Sequence, residues 1–372
     1  MLITGKISIY IHIPFCEKKC PYCQFYSVYP KKDLIEKYKK ALILEIRSKQ
    51  KLFFKRDIVS IYFGGGTPSI VDFSFIDDVL NEFNINNNTE ITIETNPENV
   101  TVKKFEGFKK ANINRVSIGA QSLDDNLLKV LNRSHSSTDV KKAIDNIKKA
   151  KIDNISIDLM YDIPHQLINS FEDTLDQLKY LDITHVSLYN LTFEENTFFH
   201  KNKDKYLPYL PKEKDSLKML NKAISKLKNL GFLRYEISAF SKKGCNSKHN
   251  LGYWQQREFL GFGVSSFSYF NQTRHKNISN IKIYIKNILE NKNIVDFEER
   301  LSYPKNIIEL LLVNLRVIDG VNIKNFQKNN GKIPSNIIKY LDNSIFIKKE
   351  NNRYKLSKKG LMFYDSLASD II

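Results

Sequence analysis

Through the first two thirds of the chain, short apolar and β-branched runs alternate with longer segments in which apolar residues recur every three or four positions. The runs that read as strands are Ile7–Pro14, Ile58–Phe63, Glu90–Thr95, Arg115–Ala120, Ile155–Tyr161 and His185–Leu191. Between and after them, Leu34–Ser48, Phe73–Phe83, Val102–Ala111, Thr138–Lys149, Phe171–Leu181 and Lys212–Leu230 have the helical period. Six strand-then-helix units in series predict parallel strands with helices outside. The strands read as near-continuous apolar runs, as expected of strands buried on both faces. Six units fall short of the eight of a closed barrel, so the expected fold is α/β, an open or partial (β/α)6 barrel over residues 1–231.

The pattern then changes. Residues 232–280 hold RYEISAFS, HNLGYW and the Gly-rich aromatic stretch GFGVSSFSYF, and are expected to cover the gap in the barrel. From 281 to 372, helical patterns at Ile281–Leu289 and Ile307–Leu315 precede two short strands, Ile345–Lys348 and Tyr354–Leu356, around an Asn351–Asn352 turn. A last helix is expected at Lys358–Leu367. Helices followed by a hairpin suggest a small α+β, winged-helix-like C-terminal domain.

Composition excludes more than it assigns. Hydrophobic residues make up 42% and charged residues 27% of 372, a globular balance rather than a disordered or collagenous one. No apolar run is long enough to cross a membrane, and the N-terminus shows no signal-peptide pattern, so a cytoplasmic protein is expected. The net charge of +17 comes with Lys and Asn used throughout, which reads as a basic soluble surface. No basic cluster interleaved with aromatics points to nucleic acid.

The chemistry gathers where parallel strands end. Of four cysteines, three fall in Cys16-Glu-Lys-Lys-Cys20-Pro-Tyr-Cys23, directly after the first strand, and Cys245 stands alone as an ordinary small residue. Three thiolates on one loop suit three corners of a [4Fe–4S] cluster, leaving the fourth iron open to a ligand. A structural zinc site would want four ligands; His12 is the nearby candidate, but its place within a strand argues for packing or hydrogen bonding. Gly64, Gly65, Gly66 and Thr67 follow the second strand, where side-chain-free backbone permits close approach. Glu94, Gln121 and Asp158 are polar anomalies in or at the ends of later strands, and Arg133 offers a fork suited to a carboxylate.

Together these residues resemble the radical S-adenosylmethionine (radical SAM) superfamily, and within it the group of oxygen-independent coproporphyrinogen III oxidases and their relatives. The resemblance runs through IYIHIPFCEKKCPYC, IYFGGGTPS, ITIETNPE, RVSIGAQSLDDNLLKVLNR, ISIDLMYDIPHQ, HVSLYNL, HNLGYW and LSYPKNIIELLLVNLRVIDG, nearly the whole chain in order. It implies a partial barrel, a cluster on Cys16, Cys20 and Cys23, and SAM chelating the open iron. The three glycines and Thr67 would then face the methionyl group. Glu94, Gln121, Arg133 and Asp158 would hold its amine, carboxylate or ribose. Tyr10 and Tyr22 would shield the cluster.

Two features place the chain inside that group. Gln24 and Phe25 follow Cys23, where the oxidases are expected to carry a further cysteine. His249, Tyr253 and Trp254, in HNLGYW, match the HNxxYW motif of the HemW-type haem chaperone branch; His249 would offer an imidazole to haem iron and the aromatics broad faces to a porphyrin. The resemblance thus implies haem as cargo, haem-acceptor proteins as partners and an electron donor for the cluster. It leaves room for transient contact with membrane haem proteins and for a homodimer. Oxidative decarboxylation of coproporphyrinogen III is the enzymatic alternative. A nucleic-acid-binding role for the C-terminal module lacks a base-reading helix with clustered Arg.

Overall fold

In a computed structural model describing residues 5–371, six parallel strands in chain order form the centre of one open sheet. They are β1 (Lys6–Ile13), β2 (Asp57–Gly65), β3 (Glu90–Thr95), β4 (Arg115–Gln121), β5 (Asn154–Tyr161) and β6 (His185–Asn190). The sheet does not close on itself, so the partial α/β barrel is as expected. The helices Lys32–Ser48, Phe73–Leu80, Val102–Lys110, Ser137–Lys149, Ile168–Gln177 and Glu213–Asn229 follow the six strands. Their buried faces carry periodic apolar residues, such as Val140, Ala143, Ile144 and Ile147 in the fourth of these. That helix starts at a reciprocal cap, in which Ser136 accepts from the Asp139 amide and Asp139 accepts from the Ser136 amide.

The strands differ from the reading of continuous apolar runs. They alternate: Ile7, Ile9, Ile11 and Ile13 lie in the apolar core, while Ser8, Tyr10 and His12 share the other face of β1. The same holds for Ser60 and Tyr62 on β2, Thr92 and Glu94 on β3, Ser117 on β4, Ser156 and Asp158 on β5, and His185 and Ser187 on β6. Hydrogen bonds join these polar residues across strands, Ser8 to Ser60 at 2.9 Å and Tyr62 to Glu94 at 2.7 Å among them. One face packs under helices and the other lines a polar barrel interior. Burial on both faces hides the alternation only when composition alone is weighed.

The segment after residue 231 extends the sheet at both edges rather than bridging it. On one side β7 (Leu233–Arg234) and β8 (Ala239–Ser241) add antiparallel to β6. On the other, β9 (Phe259–Phe262) pairs parallel with β1, and β10 (Phe267–Phe270), β11 (Thr273–Asn277) and β12 (Val295–Glu299) follow antiparallel. The covering role falls to the short helix Lys248–Trp254, which packs against β2 from inside.

Residues beyond the boundary expected at 281 pack on the barrel. Ile281, Tyr284 and Ile285 belong to the barrel core, and β12 is an edge of its sheet. The tie is a fully buried carboxylate, Glu45, which accepts from Gly263 N at 2.7 Å, Asn277 Nδ2 at 2.8 Å and Tyr284 Oη at 2.7 Å, and pairs with Lys49 at 2.7 Å. Removing one partner from such a site costs about 3–5 kcal/mol, so the Glu45 helix and the 263–284 segment are held as one body. A second apolar core begins at Ile307 and includes Leu311, Leu315, Phe326, Leu341 and Leu367. Around it lie the helix Lys305–Leu315, three short antiparallel strands, β13 (Val321–Asn322), β14 (Ile347–Glu350) and β15 (Arg353–Leu356), and further short helices. The single helix expected at Lys358–Leu367 is broken at Phe363, where φ is −123° and ψ 42°.

Candidate cofactor site

At the carboxyl ends of the central strands lies a cavity of about 340 Å³. Cys16, Cys20 and Cys23 line one side of it, and Glu94, Gln121 and Asp158 line the other. The cysteine loop is strapped to the barrel by Cys16 N to Val28 O at 3.0 Å and Val28 N to Pro14 O at 2.7 Å. Its thiols meet polar side chains from other loops: Thr67 Oγ1 lies 3.5 Å from Cys16 Sγ and Arg133 Nη1 lies 3.3 Å from Cys20 Sγ. Among the described residues, no three His, Cys, Asp or Glu side chains converge on a point that would hold a single metal ion. All three thiols are half-buried and line the same cavity, a donor set that suits three corners of a cubane cluster.

The glycine run works differently from the expectation. Gly65 and Gly66 line the cavity, but Gly64 faces Tyr10 and Tyr62. Gly65 has φ +116°, and a Cβ there would sit 2.6 Å from the His12 ring. At Gly66 a Cβ would meet the Phe15 carbonyl at 2.5 Å. Glycine is therefore demanded by the protein's own packing beneath the loop, before any ligand is considered.

Glu94 and Asp158 carry the cavity's electrostatics. Burial pushes the Glu94 carboxyl up to about 7, against opposing hydrogen bonds from Tyr62 Oη and from Gly65 N at 3.3 Å. Burial raises Asp158 likewise, opposed by the hydroxyls of Ser187 and Ser117 and by the Arg115 cation. Two carboxyls held above their usual range at the mouth of a cavity are poised to become charged when a cation arrives. Gln121 sits at φ +65°, an uncommon backbone for its residue type, at the end of β4.

Arg133, Tyr22 and Tyr10 differ in how they stand to the cavity. Arg133 reaches the cavity, but its fork is engaged by Asn96 Oδ1 at 2.7 Å and Gly119 O at 2.9 Å as well as Cys20, so it braces the cysteine loop against β4. Tyr22 lines the cavity and packs on the cluster of Leu127 and Leu131. Tyr10 lies deeper, off the cavity, bonded to His12 Nδ1 at 3.1 Å and stacked on Tyr62 at 6.3 Å. His12 spends its other nitrogen on Tyr26 O at 3.2 Å.

His249, which the resemblance offers as an imidazole for haem iron, lies well away from the surface. It is 1% exposed, at the base of the barrel interior. Nδ1 lies 3.0 Å from Ser60 Oγ, Nε2 lies 2.8 Å from Tyr253 Oη, and the ring stacks on Tyr62 at 4.9 Å. Glu90 caps the helix by accepting from the Lys248 and His249 amides at 3.0 and 3.1 Å. Both ring nitrogens are occupied, and burial holds the ring neutral, with a pKa of about 3. Trp254, at the end of the same helix, is half-buried against Arg316 of the C-terminal module rather than turned toward the cofactor cavity.

Sequence reasoning passed over Tyr62, Ser117 and Arg115. Arg115 is 2% exposed, with Nε lacking a partner among the described residues. The signal was present: each is the polar member of an alternating strand.

A partial barrel with a three-cysteine loop at its carboxyl face defines a class, and comparison agrees. The model of the radical SAM superfamily matches residues 10–178. The solved structure titled as coproporphyrinogen III oxidase (HemN) from Escherichia coli superposes with a TM-score of 0.84 at 20% identity, covering 98% of this chain and 89% of that one. Among curated relatives, the protein named heme chaperone HemW of Buchnera aphidicola subsp. Schizaphis graminum is 36% identical over 99% of this chain and 98% of its own length. Its namesake in Bacillus subtilis is 32% identical over 87% of each. The chain belongs to the radical SAM superfamily and, within it, to the HemW family.

Proposed function

We propose that the chain is a haem chaperone that binds a [4Fe–4S] cluster and SAM at the carboxyl face of the barrel and delivers haem to acceptor proteins. The observation that carries this is likeness over almost the entire chain to proteins named heme chaperone HemW. Likeness to the oxidase structure is one of fold alone, at 20% identity. The donor set fits the cluster: three thiols lining one cavity, hydrogen bonds to two of them, and an acidic rim opposite. When bound, the cluster would supply single electrons to the sulfonium of SAM. This chain's residues do the rest. Cys16, Cys20 and Cys23 hold the cluster, and Arg133 and Thr67 damp charge on its sulfurs. Glu94 accepts from the SAM amine, and Asp158 accepts from a ribose hydroxyl or that amine. Gln121 fixes the orientation, and Tyr22 keeps water from the cysteine loop.

Among the described residues no helix is long and apolar enough to cross a membrane. The test is a side-by-side assay of the anaerobically reconstituted protein for haem binding and for coproporphyrinogen III conversion. Stoichiometric haem binding and transfer without conversion is expected. Robust SAM-dependent formation of protoporphyrinogen IX would overturn the reading and leave the cofactor site standing.

A further inference from the structure

Resting on the chaperone reading, we infer that the propionate edge of haem binds in a second cavity, between the end of β6 and the C-terminal module, on the guanidinium groups of Arg234 and Arg316. This cavity measures about 350 Å³ and shares Tyr189, Asn190 and Thr192 with the cofactor cavity, so the two are neighbours along one rim. Ile318 N, two residues beyond Arg316, donates at 3.0 Å to the carbonyl of Tyr235, next in sequence to the lining residue Arg234, and joins the barrel to the C-terminal module.

Arg316 enters from the end of the helix Lys305–Leu315, clamped between two aromatic faces, 4.4 Å from the Trp254 ring and 5.0 Å from the Tyr364 ring. Its Nε is buried with no partner among the described residues. Arg234 also lines the cavity, over the Phe240 ring at 5.7 Å, with Nε donating to Ile237 O at 3.0 Å and Nη2 donating to the same carbonyl, which leaves Nη1 for a ligand. Burial works against its charge. Among the described residues neither guanidinium forms an ion pair within 4.0 Å. The nearby acids do not replace a ligand: Asp365 lines the cavity but is exposed, and buried Glu236 has its own carboxyl raised by burial, with Oε2 unpartnered.

Two half-buried guanidiniums flanked by aromatic rings, with no carboxylate bound, match a ligand bearing paired carboxylates on a flat apolar body. Haem has that form: two propionates on one edge of a planar ring. The cavity takes the carboxylate edge, and the macrocycle extends toward the shared rim at Tyr189. This also gives the HNxxYW helix a task that contact with haem iron does not. His249 anchors the helix inside the barrel, and Trp254 at its far end is a positioning residue for Arg316.

The test uses the full chain and needs no variant to begin. Trp254 is the only tryptophan, so its quenching follows haem titration directly. Haem should bind roughly tenfold more tightly than haem dimethyl ester, whose propionates are capped. Arg316→Gln and Arg234→Gln should each erase most of that preference while cluster loading and the thermal transition stay as in the wild type. Trp254→Phe, followed by the Soret band, should weaken haem several-fold and leave the ester unaffected. Equal affinity of the wild type for haem and its ester overturns this inference alone, as does a preference that survives in both arginine variants. Failure of the wild type to bind haem at all removes the chaperone reading and this inference with it.

Discussion

The upper and lower halves of the barrel interior are built from the same kinds of residue and do opposite things. At the base, Ser8, Ser60, Glu90, His249 and Tyr253 form a closed set in which both ring nitrogens of His249 and both carboxylate oxygens of Glu90 are used. At the mouth, Glu94 and Asp158 are half-buried and hydrogen-bonded, yet they face a cavity and are held toward their neutral forms. The histidine of the HNLGYW motif has both ring nitrogens engaged by the protein, and acids in plain strands border the cavity. What separates them is whether the surrounding protein closes over them: Glu94 also has both oxygens bonded, to Tyr62 and Gly65, yet it lines the cavity. A polar group satisfied on all sides stabilises a fold; one left facing a cavity awaits a ligand.

The largest effect that would break this contrast lies at the mouth. Cys16→Ser, Cys20→Ser or Cys23→Ser should abolish cluster loading, read as about four irons and four sulfides per chain after anaerobic reconstitution. Cys245→Ser should load normally. Stoichiometric zinc in protein purified without oxygen would remove the upper half from the argument.

Next comes the base. His249→Ala leaves the hydroxyls of Ser60 and Tyr253 without their partner in a packed interior, and denaturant unfolding should show a loss of about 2–4 kcal/mol. Haem affinity of the folded variant should stay within a few-fold of wild type. A large loss of haem binding with no loss of stability would reverse the roles of the two halves. Acid sharpens the point. His249 has a folded pKa of about 3 and His12 of about 4, both below the unfolded value of 6.5. The unfolded chain therefore binds protons first, and stability falls as pH drops below 6.5 toward those values, by about 1.4 kcal/mol per unit per histidine. His249→Asn should flatten that dependence by one histidine's share.

Gly66→Ala tests the join between the halves. Its Cβ would press on the Phe15 carbonyl at 2.5 Å, so a destabilisation of about 1–3 kcal/mol is expected, together with reduced cluster loading. Normal loading would mean that the loop shifts freely.

The smallest effect is the most specific. Glu94→Gln should weaken SAM binding roughly tenfold with the cluster intact, read from the EPR signal of the reduced cluster. With its carboxyl pushed up to about 7, wild-type Glu94 gains charge as pH rises through that value, so SAM affinity should strengthen in the same direction. The Gln variant should lose this dependence. An unchanged profile would detach Glu94 from the ligand.

The order of strands and helices, the three-cysteine loop and the placing of Glu94 and Asp158 at one end of the barrel were legible from residue order alone, because parallel strands send their carboxyl ends to one face. The polar lining was also written there, as alternation in ISIYIHI and EITIET, but apolar composition concealed it. Motif spacing could not say whether HNLGYW lay on the surface or within, since a seven-residue helix suits either. That was decided by partners distant in sequence: Ser60 and Glu90 draw His249 inside, and Arg316 draws Trp254 toward the C-terminal module. Contacts of the same kind tie residues 277–284 to the barrel, with Glu45 binding Asn277 and Tyr284 across more than 200 residues. Local pattern specifies elements because it is local chemistry; which polar groups remain unsatisfied is a property of contacts, and only the folded chain makes those.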